Sequence, residues 1–117
     1  MHDDEFLVRF ENLTLAPAEF GHAGHMRLGW LNLQRHDRAS AIARTCAGIR
    51  AYATHLGAPD KFHWTVTEAL LRLMAAQGGR LPGDARLLLA RHYSPQLLAS
   101  EDARRAFVGP DRAALPV

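Results

Sequence analysis

His22 and His25 stand three residues apart, and a third histidine, His63, heads the string His63-Trp64-Thr65-Val66-Thr67. Three imidazoles from two helices can build an open metal centre. Nitrogen ligation suits copper, zinc or iron, and three protein ligands leave a position for water, dioxygen or a substrate. On a helix, the i, i+3 spacing puts two side chains about 60° apart, close enough to share an ion. A metal-free reading stands beside this one. Seven histidines in 117 residues make such a pair easy to meet, and His22 and His25 could simply line the core and its edge. Three adjacent buried imidazoles would nonetheless need partners for their nitrogens, and a metal would supply them.

The spacing departs from better-known metal motifs. It is not H-E-x-x-H, which needs histidines at i, i+4 around a glutamate base. A carboxylate-bridged di-iron bundle needs two Glu-x-x-His pairs and two more glutamates. Of the five glutamates (Glu5, Glu11, Glu19, Glu68, Glu101), only Glu19 stands three before a histidine. Thr65 and Thr67 carry two readings. A hydroxyl could hold a ligating imidazole or a bound substrate, or it could bond back to the preceding helical turn. Tyr93 with Ser94 reads as an aromatic anchor for C-terminal turns. His2, His36, His55 and His92 fall at helix ends or in the tail and are expected to be solvated.

The elements that would position these groups are helical. Pro17 suits a first helical turn, Glu19 complements the helix dipole, and a helix is expected from Pro17 to about Arg35. Its face at positions 22, 25, 26, 29 and 33 is largely apolar, which predicts that both histidines point inward. Gly24 and Gly29 cost that helix roughly 1 kcal/mol each relative to alanine, which suggests close packing there. Asp37 caps a second helix over about 38–56, with Ile42, Cys46, Ile49, Ala53 and Leu56 facing a core and Gly57 ending it. Pro59 and Asp60 start a third, to about Gln77, whose apolar stripe reads 63, 66, 67, 70, 71 and 74. Gly78, Gly79, Pro82 and Gly83 form a loop. Asp84 caps a short helix to about His92, Ser94-Pro95 opens another turn, and Ser100 caps a last one to about Phe107. Residues 1–16 could form a helical turn or a brief strand, and 109–117 should run extended, with Tyr93, Phe107 and Leu115 packing back on the helices. Asp111 is expected to reach an arginine or a helix N-terminus.

With 48% apolar and 22% charged residues, the composition is that of one ordinary globular domain spanning 1–117. The net charge of +2 comes from one lysine and thirteen scattered arginines. That scatter argues against a nucleic-acid footprint, which needs clustering on one face. The lone Cys46 excludes an intrachain disulfide. No apolar stretch approaches the roughly 18 residues that span a bilayer, and the acidic start Asp3-Asp4-Glu5 is unlike a signal peptide. A cytoplasmic location with Cys46 reduced is the expectation.

Read as a whole, the chain resembles a family of small bacterial all-helical proteins with the pattern H-x-x-H … H-x-T-x-T … Y-S … S-x-x-A-R … F-V-x-P-D … L-P. The blocks here are His22-Ala23-Gly24-His25, His63-Trp64-Thr65-Val66-Thr67, Tyr93-Ser94, Ser100 to Arg104 and Phe107-Val108-Gly109-Pro110-Asp111. The resemblance implies that His22, His25, His63, Thr65, Thr67, Tyr93 and Asp111 are signature positions, and it carries no settled activity. Trp64 stands where such members often have an acid, and Met26 where they have leucine. The expected fold is all-α, a compact bundle of about four main helices with short C-terminal turns and an extended tail. The expected function is a small metalloprotein with His22, His25 and His63 as ligands to copper, zinc or iron, open to a small molecule. Thr65, Thr67, Tyr93 and Asp111 would support the site. The alternative is a metal-free helical module that binds a ligand or partner.

Overall fold

The computed structural model describes residues 1–79, 81 and 84–116. Among them there are helices and turns and no strand. The elements are α1 (Asp3–Glu11), a 3-10 turn (Pro17–Glu19), α2 (His22–Arg35), α3 (Arg38–His55) and a second 3-10 turn (Pro59–Lys61). Then come α4 (Trp64–Ala76), α5 (Ala85–Ala90), α6 (Pro95–Leu98) and α7 (Glu101–Arg105). Four long helices followed by short C-terminal ones make the chain all-α. No helix among the described residues is long and apolar enough to cross a membrane. The chain groups into two compact units, Met1–Lys61 and Phe62–Val117.

In the first unit, the ambiguous N-terminus is a helix. Asp3, Asp4 and Glu5 fill the first turn of α1, where negative charge favours the exposed N–H groups. Asp3 pairs with Arg27 at 2.8 Å and Asp4 with Arg35 at 2.6 Å, which fixes α1 against α2. Leu13, at φ 65°, ends α1 in the left-handed region. This lets Thr14 and Leu15 return their N–H groups to Arg9 O at 2.8 and 3.0 Å. Below lies an aromatic cluster. Phe10, Phe20 and Tyr52 have ring centroids 5.0 to 5.7 Å apart, and the Tyr52 hydroxyl donates to Leu15 O at 2.7 Å.

The helix expected from Pro17 is interrupted. The 3-10 turn stops at Phe20, and Gly21 caps a fresh start at His22. Within α2 the buried stripe is Gly24, Leu28, Gly29, Leu31 and Asn32, and His22 and His25 come out exposed instead of inward. Gly24 is where the turn and helix meet. A Cβ there would lie 2.7 Å from Glu19 O and 3.2 Å from Phe20 Cδ1. On α3, Asp37 accepts from Ser40 N at 3.1 Å, and Gly57 follows the helix at φ 76°. The buried face holds Ile42, Cys46 and Ile49 as expected. Ala53 is only half-buried and Leu56 is exposed, and Tyr52 is buried in their stead.

In the second unit, His63 is not inside a helix but caps one. The helix expected from Pro59 is a 3-10 turn, then α4 beginning at Trp64. Ala69, Leu89 and Tyr93 form the core, with Val66, Leu70, Leu97, Leu98, Val108 and Leu115 against them. Asp84, Ser94 and Ser100 cap α5, α6 and α7 through Arg86 N, Leu97 N and Ala103 N. The tail is non-helical with a bend at Asp111 to Ala113. Of the expected loop, Gly78 and Gly79 adopt φ 72° and 102°, while Pro82 and Gly83, like the tail's last residue Val117, lie outside the described residues.

Gly24→Ala is the sharpest test of this folding pattern. In an unobstructed helix the change stabilises by about 1 kcal/mol. Here the Cβ meets a backbone carbonyl, so urea denaturation should show a loss of about 1–3 kcal/mol.

Candidate functional site

His22 and His25 belong to the first unit, and His63 to the second. His25 Nδ1 lies 2.8 Å from Gly21 O, so its N–H donates to the carbonyl of its own helix cap. Its ring stacks on Phe20 with centroids 4.0 Å apart. His63 has both nitrogens in use. Nδ1 accepts from Val66 N at 3.1 Å, which makes the imidazole the N-cap of α4. Nε2 lies 2.7 Å from Leu98 O and donates to it. One tautomer satisfies both bonds, and in it no ring nitrogen of His63 remains for a metal. Among the described residues, no three His, Cys, Asp or Glu side chains are grouped to hold an ion.

The residues expected to support the site form a different device. Thr65, fully buried on α4, donates from Oγ1 to Ala106 O at 3.0 Å and accepts from Val108 N at 3.2 Å. Tyr93, also fully buried, donates to Val108 O at 2.7 Å. Asp111 reaches a helix N-terminus, as expected. Its carboxylate accepts from Ser94 N at 2.8 Å and from Ser94 Oγ at 2.5 Å, at the cap of α6. His92, expected in solvent, is buried, and its Nδ1 lies 2.8 Å from Ala113 O. Thr67 bonds back to His63 O at 2.8 Å. Thr65, Tyr93, His92 and Asp111 together clamp the segment 106–113.

Electrostatics fit that role. Burial pushes the Tyr93 hydroxyl up to about 12, with Arg72 opposing and Glu68 and Asp111 adding to the shift. Tyr93 is therefore a neutral donor at ordinary pH. The hydrogen bonds from Ser94 hold the Asp111 carboxyl below the usual range. Sequence reasoning missed the pair beside them. Glu68, buried on α4, accepts from Trp64 Nε1 at 3.1 Å and from Arg72 at 2.6 and 3.0 Å. The Arg72 guanidinium covers the Phe107 ring at 4.2 Å. The i, i+4 order Glu68 to Arg72 was the available signal.

A cleft in the first unit was also missed. It holds about 190 Å³ and is lined by Phe10, Glu11, Leu13, Asn32, Arg44, Gly48 and Ala51. Gly48 lets the Phe10 ring lie against α3 along its wall, because a Cβ there would lie 2.7 Å from Phe10 Cε2. Asn32 is buried and donates to Thr45 Oγ1 at 2.9 Å, and Thr45 donates on to Ala41 O at 2.8 Å. Arg44 and Glu11 face each other at 3.4 Å. An asparagine inside an apolar helical stripe was the sequence cue. Comparison of the chain with protein-family models, curated proteins and solved structures returns no match.

Thr65→Val keeps the shape and removes both tail bonds, to Ala106 O and from Val108 N. It should cost about 1–3 kcal/mol and speed amide exchange at Val108. Asp111 contributes to the acid arm, together with Asp37, whose carboxyl the hydrogen bonds from Ser40 also hold low. The folded value of Asp111 is depressed, so its stabilisation is present above the unfolded carboxylate value of about 3.9 and is lost as pH falls through the lower folded value. Asp111→Asn should flatten the acid limb of stability measured by denaturation below about pH 4.

Proposed function

We propose that this chain is a metal-free helical module that binds a small polar molecule, in preference to a three-histidine metalloprotein. One observation supports the choice above others: both His63 nitrogens are bonded within the second unit, to Val66 N and Leu98 O. A metal at His63 would have to remove the cap of α4, the tie to Leu98, or both, and an uncapped helix loses about 1 kcal/mol. The positions that the resemblance marks, Thr65, Tyr93 and Asp111, hold backbone and leave no hydroxyl or carboxylate poised over a substrate. The first unit offers instead a cleft with a buried carboxamide, a cation and an anion. Pockets of this kind, apolar with a few placed polar groups, are where small molecules bind. On this reading the chain is a member of the bacterial helical group it resembles, and its one buried thiol, Cys46, suits the reducing cytoplasm.

Metal content decides between the readings. Protein incubated separately with copper, zinc and iron and then desalted should retain under roughly a tenth of an equivalent of each. His63→Asn, which keeps a capping side chain but gives up the bond to Leu98 O, should still fold, at a cost of about 1 kcal/mol. Stoichiometric retention of one metal, lost in His63→Ala, would restore His22, His25 and His63 as ligands and sink the module reading.

A further inference from the structure

The cleft of the first unit has a composition that narrows its ligand, and the argument rests on the binding-module reading above. Arg44 Nη2 and Glu11 Oε1 are 3.4 Å apart, with side chains 51% and 56% exposed. Charge-assisted hydrogen bonds between such groups are normally about 2.7–2.9 Å. The pairs Arg27–Asp3 and Arg35–Asp4 in the same unit reach 2.8 and 2.6 Å. The mouth of the cleft therefore holds a cation and an anion joined by one long hydrogen bond, which a better-fitting ligand can replace. Phe10, Leu13 and Ala51 supply apolar wall, and Asn32, locked by Thr45, supplies a carboxamide. The volume of about 190 Å³ is below the roughly 300 Å³ at which drug-sized pockets begin, so the occupant is small.

Charge balance selects its class. A small monocarboxylate on Arg44 would face Glu11 with like charge. An amine on Glu11 would leave Arg44 facing a cation. A molecule carrying both charges a few ångströms apart meets both and changes neither partner's balance. We infer that the cleft between α1, α2 and α3 binds a small free amino acid as its zwitterion. The carboxylate lies on Arg44, the ammonium on Glu11, and a short apolar side chain against Phe10 and Leu13.

Titration of the isotope-labelled full chain with L-valine, followed by amide resonances, tests this. L-valine should give saturable shifts concentrated at residues 10–13 and 44–51. Isovalerate and isobutylamine, which each keep one charge, should bind at least about tenfold more weakly. Arg44→Gln and Glu11→Gln should each weaken L-valine by about tenfold. Ala51→Leu, at an exposed position lining the cleft, should abolish binding with the helical circular dichroism retained. If that variant loses its helical signal, Arg44→Gln and Glu11→Gln decide the location. No shifts up to about 10 mM, equal binding of isovalerate, or unchanged affinity in the cleft variants would each overturn the inference. None of these outcomes involves metal content. A failed titration on metal-free protein removes the amino-acid ligand and leaves the module reading standing, whereas a bound metal at His63 removes that reading itself.

Discussion

A segment with neither helix nor strand must still find partners for its backbone, and the second unit is organised around meeting that need for residues 106–113. Ala106 O, Val108 N and Val108 O are taken by Thr65 and Tyr93. Arg112 N and Ala113 N return to His92 O and Arg91 O at 2.9 and 3.1 Å. A buried backbone group left unpaired costs about as much as a lost hydrogen bond. That cost explains why two wholly buried side chains, Thr65 and Tyr93, each carry a hydroxyl. The tail in turn places Val108 and Leu115 on the core of Ala69, Leu89 and Tyr93, so polar pairing and apolar packing are coupled in one docking event.

The same economy governs the histidines. An imidazole serves as helix cap when one nitrogen is a free acceptor, and His63 presents Nδ1 to Val66 N while donating Nε2–H to Leu98 O. Those two bonds join the start of α4 to the end of α6. A ligating imidazole needs a free lone pair, and the one lone pair of the neutral ring is already taken here. His25 spends its Nδ1–H on Gly21 O and its face on Phe20. Both nitrogens of His63 and the Nδ1 of His25 are thus used to fix local structure.

In the first unit, small residues decide what can approach. Gly48 admits the Phe10 ring to the surface of α3, and Gly24 admits the Glu19 carbonyl to α2. Because Phe10 lies so close to α3, the end of α1 brings Glu11 near Arg44, with Leu13 turned through the left-handed region beside them. The cleft is a by-product of that close packing, bounded by a buried Asn32 whose hydrogen bond to Thr45 sets its orientation.

The sequence by itself determined the helical class and most of the helix limits. Caps and breakers act locally: Asp37, Asp84, Ser94 and Ser100 each satisfy an N–H two or three residues on, and Gly57 ends α3. It also indicated that the tail docks and that Asp111 meets either an arginine or a helix N-terminus, of which the second is found. It misjudged which side of α2 is buried: Gly24, Leu28, Leu31 and Asn32 turn inward while His22 and His25 do not, because the covered face is chosen by what packs against the helix. Whether Thr65 bonds its own helix or residue 106, and which groups face the histidines, depends on partners 41 and 35 residues away. Local periodicity carries no information about those separations. Only the tertiary structure could decide that Thr65 and Tyr93 clamp backbone, that His63 caps, and that Glu11, Asn32 and Arg44 share a cleft, since each contact depends on how helices distant in sequence pack together.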